Sequence, residues 1–165
     1  MGKRRAGREM ALRMLYQSDL GGASAAEVLA AFDLGEYAAG AEDELGSEAP
    51  ATRRRRSGTA VEVARQAFEH ARSLVAGTIE HRDEIDRLIR TQAENWRLER
   101  MPPVDRNILR LAVYELLYEG DVPRLAVVDE AVDLAKSYGS ENSGRFVNGL
   151  LDGLLHSGAL PEIRA

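Results

Sequence analysis

The sequence contains no cysteine. That excludes disulfides, thiolate zinc sites and cysteine nucleophiles together, and suits a reducing compartment. Aromatic residues are scarce at 5%, so apolar burial must come mainly from aliphatic side chains. No apolar run approaches the roughly 20 residues needed to cross a bilayer. The basic N-terminus is not followed by an uncharged apolar core, so no secretory signal is read and a cytoplasmic protein is expected. A Gly-x-x-x-x-Gly-Lys phosphate loop, a serine elbow and a glycine-rich dinucleotide turn are also missing. His70 and His81 stand about 16 Å apart if they share one helix, too far to hold one ion, and His156 is remote in sequence. Surface histidines explain all three. Asp129 and Asp133 lie on adjacent turns with Lys136 beyond, which is the pattern of a solvated, ion-paired face. No catalytic, metal or cofactor site is expected.

What is present fits one domain of 165 residues, or two small helical halves sharing a core. The net charge of −5 does not by itself advertise a nucleic-acid binder. The charge is segregated, however. Residues 1–20 hold Lys3, Arg4, Arg5, Arg8 and Arg13 against Glu9 and Asp19. Residues 33–48 hold six acidic residues and no basic one, and Arg53 to Arg56 follow as four consecutive arginines. The stretch 35–58 is rich in Gly, Ala, Glu and Ser and reads as a disordered linker between residues 1–34 and 59–165. Its arginines fit either phosphate contacts or a solvated loop.

Helical periodicity dominates elsewhere. One helix is predicted from Arg5 to Leu20, ended by Gly21-Gly22, and Ser24 with Glu27 forms a capping box that opens a short second one. Thr59 with Glu62 repeats that signal before a long apolar stripe, which is punctuated near Gly77. A further segment runs through Ile79–Ala93. Pro102-Pro103 starts a helix over Val104–Glu119, Pro123 starts another that Gly139 stops, and the last follows Asn142 or Ser143. No segment alternates with period two. The expected fold is all-α, with about six or seven helices.

Two regions could bind a polyanion. Arg5, Glu9 and Arg13 form a row along the first helix, flanked by Arg4 and Arg8, and guanidinium groups there could contact successive phosphates. Gly7 weakens that first turn, which would be frayed when free; a solubilising tail is the other reading. The second region is the polar turn from Lys136 to Gly149. Arg145, Asn148 and Asp152 share a stripe opposite Val147, Leu151 and Leu154, and Phe146 lies at the boundary. Its ring either fills the core or stacks on an unpaired base, with Arg145 and Asn142 supplying polar contacts.

Several blocks of residues carry a family resemblance. They are Arg8-Glu9-x-Ala11-Leu12-x-x-Leu15-Tyr16, the run from Pro103 to Leu116 that contains Val104-Asp105-Arg106 and Leu109-Arg110-Leu111, Asp121-Val122-Pro123, Val128–Lys136, and Phe146-Val147-Asn148-Gly149-Leu150-Leu151-Asp152. In these the chain resembles the NusB family of bacterial transcription antitermination factors. The resemblance implies an all-helical fold of two small packed bundles and a non-enzymatic adaptor that binds boxA-type single-stranded RNA. It also implies a heterodimer with NusE, a small-subunit ribosomal protein, within the transcription elongation complex. Carried over by position, the RNA surface would use Arg4, Arg5, Arg8, Arg110, Asn142, Arg145 and Phe146, and Tyr16 and Asp105 would face NusE. The arm and the last turn would then converge as one cationic ledge. Two departures stand out: the stretch 35–58 is longer than usual, and position 142 is Asn where an acid is common. The competing expectations are a detached RNA-binding module related to ribosomal-RNA methyltransferases, and a homodimeric structural protein.

Overall fold

The structure, a computed structural model, describes residues 2–43 and 50–161; for residues 41–43 and 50–60 it describes the backbone alone. The described residues form eight α-helices and one 3-10 turn, with no strand among them. They are α1 (Lys3–Gly21), α2 (Ala25–Ala31), α3 (Leu34–Asp43), α4 (Pro50–Glu80), α5 (Arg82–Gln92), the 3-10 turn Leu98–Arg100, α6 (Pro103–Tyr118), α7 (Arg124–Tyr138) and α8 (Ser143–His156).

Local chemistry sets most of the boundaries. Ser24 caps α2 by accepting the Glu27 backbone N–H at 3.2 Å. Pro103 occupies the first turn of α6, where its missing N–H costs nothing, and Pro123 precedes α7 in the same way. The chain breaks at His81, which caps α5 and separates it from α4. Gly77 does not interrupt α4; it is small because the Tyr114 ring occupies the place a Cβ would take. The Thr59 signal is likewise overridden, since α4 already runs from Pro50.

The count exceeds the expected six or seven chiefly because of α3. Residues 35–43 were expected in a disordered linker, and the structure makes them helical. Ala38 is buried, and Leu34 and Tyr37 pack against the core. The Tyr37 ring meets Phe32 at 6.0 Å and Arg13 at 5.1 Å, while its hydroxyl donates to Glu9 at 3.0 Å. Three apolar positions at spacings of three and four are enough to seat a short helix, and an averaged composition conceals them. Residues 50–58 open α4; residues 44–49 and the side chains of Arg53 to Arg56 lie outside the described residues.

α1 packs along α4 with α2 and α3 beside them, while α5, α7 and α8 gather around α6. α6 also touches α1 and α4, so it is the shared centre of both groups. Nearly every residue from Asp105 to Leu116 is buried. A helix enclosed on all sides has no solvent face for its polar residues, and each must find a partner inside.

Candidate nucleic-acid interface

The enclosure of α6 decides the fate of Arg110. Expected at the RNA surface, it is 5% exposed. Its guanidinium donates from Nε to Asp86 Oδ1 at 2.8 Å and from Nη2 to Asp86 Oδ2 at 3.0 Å, and lies 3.4 Å from Asp19. Asp19 also accepts from Arg106 Nε at 2.8 Å and from Asn107 at 3.0 Å. Burial alone would raise the Asp19 pKa, but hydrogen bonds from Arg106 and Asn107 and the charges of Arg110 and Arg106 outweigh it and hold the carboxyl below its ordinary value. Arg110 is therefore an internal cation, held by carboxylates away from the surface where it was expected.

Arg8 is corrected in the same way. It is 5% exposed, and both Nε and Nη2 donate to Glu115 at 2.8–3.1 Å. Burial pushes the Glu115 carboxyl up, against the pull of the Arg8 hydrogen bonds and charge. Gly7 lies inside α1, which begins at Lys3. A Cβ at Gly7 would lie 2.8 Å from His70 Cδ2 and 3.0 Å from the Ala67 carbonyl, so the glycine permits close approach of α1 to α4. His70 is thus half-buried beneath the arm. Its pKa is lowered by burial and by Arg8, Arg4 and Lys3.

Arg4 and Arg5 do reach the surface, but in company. Arg4 pairs with Asp121 at 3.1 Å, and Arg5 with Asp133 at 2.7 Å and Glu130 at 3.4 Å. Asp133 therefore serves α1 and not the Asp129–Lys136 face expected of it. Tyr16 is 38% exposed and open to a partner. Asp105, expected beside it, is only 4% exposed, and its Oδ1 has no hydrogen-bond partner among the described residues. It sits in the first turn of α6, where the positive end of the helix dipole favours a carboxylate. Its position suits support of the surface, not direct contact.

The turn into α8 keeps the character expected of it. Asn142, Arg145 and Asn148 are exposed, Val147, Leu151 and Leu154 are buried, and Phe146 is half-buried. No acid stands in the first turn of α8, and Asn142 precedes it without capping it. Arg145 has no carboxylate partner among the described residues. A helix start with no acid in its first turn, and with a guanidinium that has no carboxylate partner among the described residues, is suited to an anion; exposed Glu141, just before Asn142, is the nearest carboxylate in sequence.

Both basic regions border α7. Arg5 pairs with Glu130 and Asp133, whereas Gly144 of α8 approaches Val132 and Lys136. At 3.6 residues per turn those two faces of α7 are roughly 110° apart. Exposed Asp129 lies between them, next to Asp133. A cationic ledge joining the two regions would therefore have to pass the acidic face of α7.

Comparison with known proteins resolves the class of the chain. The family model described as the NusB family matches residues 5–156. The chain belongs to the NusB family. The transcription antitermination protein NusB of Myxococcus xanthus is 45% identical over 152 residues, covering 92% of this chain and 94% of the relative. A solved structure of T. maritima NusB is 34% identical, covers 96% of this chain and 93% of its own, and superposes with a TM-score of 0.65. A crystal structure of the antitermination factors NusB and NusE in complex with double-stranded RNA is 28% identical over 94% of this chain and 97% of its own, with a TM-score of 0.66. No helix among the described residues is long and apolar enough to cross a membrane.

Within this NusB fold, the sequence reading passed over Trp96. The residue lies between α5 and the 3-10 turn and is 64% exposed. Its ring meets Phe146 edge to face, with centroids 5.8 Å apart and planes at 68°. The signal was a tryptophan among Glu94, Asn95 and Arg97, with no apolar periodicity to bury it.

Proposed function

We propose that this chain is a transcription antitermination factor that binds boxA-type single-stranded RNA and works as a heterodimer with NusE in the transcription elongation complex. The observation that carries the reading is the start of α8, where Asn142, Arg145 and Phe146 present polar, cationic and aromatic groups on one exposed edge without an acid in the first turn. Arg4 and Arg5 add charge from the neighbouring arm once they exchange their carboxylate partners for phosphates. Tyr16 belongs to the NusE-facing surface, and Asp105 supports it from below. The related complex of NusB and NusE with double-stranded RNA supports NusE and RNA as the classes of partner. An aromatic ring can stack on a base only when that base is unpaired, which favours single-stranded RNA at the α8 edge.

The test is a titration of labelled boxA RNA with this protein, with NusE and with both together. The complex binds more tightly than either protein, and a fully paired duplex of the same sequence binds more weakly. With three phosphate contacts, from Arg4, Arg5 and Arg145, log K falls against log salt with a slope of about −2. Binding that ignores salt, or is indifferent to NusE, overturns the reading.

A further inference from the structure

We propose that Trp96 is a second base-stacking platform, which extends the RNA surface from the start of α8 onto the turn after α5. The inference rests on the RNA-binding reading above and adds to it a residue and a direction for the strand.

The argument begins with the cost of leaving an indole in water. Trp96 is the lone tryptophan of the chain and is 64% exposed. Burying a ring of that size is among the larger apolar gains open to a small domain, and this chain forgoes it. The turn that carries the ring is closed by the Trp96 backbone N–H, which donates to the Ala93 carbonyl at 3.0 Å. Rings that meet at 68° cover each other by an edge, so the indole keeps a face open to a ligand. Tyr118 differs: its ring stacks on His81 at 4.2 Å and its hydroxyl donates to Glu84 at 2.6 Å, so it is already engaged and beside a carboxylate.

The surroundings of Trp96 select the ligand. Arg97 and Arg100 are exposed on the same turn, and Arg145 adjoins Phe146 on α8. The Glu99 carboxylate is taken by Arg90 at 2.9 Å, so it opposes an incoming phosphate less than a free acid would. Open aromatic faces interleaved with guanidinium groups are what an unpaired ribonucleotide strand uses: bases stack while phosphates are neutralised beside them. A strand with one base on Phe146 thus has its next platform at Trp96.

A single tryptophan makes the test direct. Titration with a short single-stranded boxA-type RNA quenches Trp96 emission saturably, in step with the anisotropy of the same RNA carrying a label. Trp96→Ala lowers affinity between five- and a hundredfold, the range for loss of one stacked base, while its thermal unfolding stays that of the parent. Trp96→Phe restores most of the affinity, which a role confined to fold support does not explain. If the labelled RNA binds but the emission is unmoved and Trp96→Ala binds equally well, the Trp96 platform is wrong and the RNA-binding reading stands. Emission that changes with NusE and not with RNA assigns the ring to a protein contact and likewise overturns the platform. If the labelled RNA does not bind at all, both readings fall together.

Discussion

Arg110 and Arg145 are the same residue type in two opposite settings. Arg110, on the helix at the centre of the molecule, donates twice to Asp86 and lies against Asp19. Arg145, one residue into α8 from Gly144, faces solvent with no carboxylate partner among the described residues. Arg110 lies within one sequence block typical of the family and Arg145 directly precedes another, and both look basic enough for RNA. The difference lies in what surrounds them. A guanidinium with two buried acids is committed to the fold, and an exposed one without an acid is available to a ligand. Arg8 falls with Arg110, and Arg4 and Arg5 lie between the two cases.

The largest effect that can break this contrast is on stability. Arg110→Ala removes both hydrogen bonds to buried Asp86 and leaves it only the more distant Arg82 at 3.8 Å, and the expected loss is about 3 kcal/mol, read from the urea midpoint. A variant that unfolds at the parental midpoint yet binds RNA poorly would return Arg110 to the interface. Next comes acidity. The folded Asp19 carboxyl lies below its ordinary 3.8, so the stability it contributes is present above that pH and is lost as pH falls through the lower folded value. Asp19→Asn is therefore well below the parent in stability at pH 7, and the gap between them narrows at pH 3.

Arg145→Ala moves the other observable. RNA affinity falls and the salt slope flattens by about 0.7, the share of one phosphate contact on a single strand, while the urea midpoint is unchanged. A shifted midpoint with an intact slope would place Arg145 with Arg110. The smallest effect belongs to the intermediate case. Asp133→Asn removes the nearer of the two acids that hold Arg5, and RNA binding at low salt tightens by roughly twofold, as expected for an exposed ion pair worth a few tenths of a kcal/mol.

The helices were legible because caps and apolar stripes are local. Ser24, Pro103, Pro123 and Gly139 mark their boundaries at the positions the structure gives them. The edge of α8 was legible for the same reason: exposed Arg145 and buried Val147 follow from spacing along one helix. Arg110 was misread because a stripe on α6 implies an opposite face in water, and α6 has none. That fact resides in α1, α4, α5, α7 and α8, which enclose it from elsewhere in the chain. Arg8 has its partner 107 residues away at Glu115, a distance no periodicity spans. Trp96 was missed for the reverse reason: it stands outside any stripe, and only its neighbour on another helix gives it meaning.

The charged cluster around Asp19 joins α1 to α6, and through Arg110 and Asp86 it reaches α5. Separating the N-terminal helices from the rest would strand charges on both sides of the cut, so neither half is a cheap unit to open by itself. The two bundles are bound to melt as one, and the slowest-exchanging amides of α1 and α6 should share a single opening free energy.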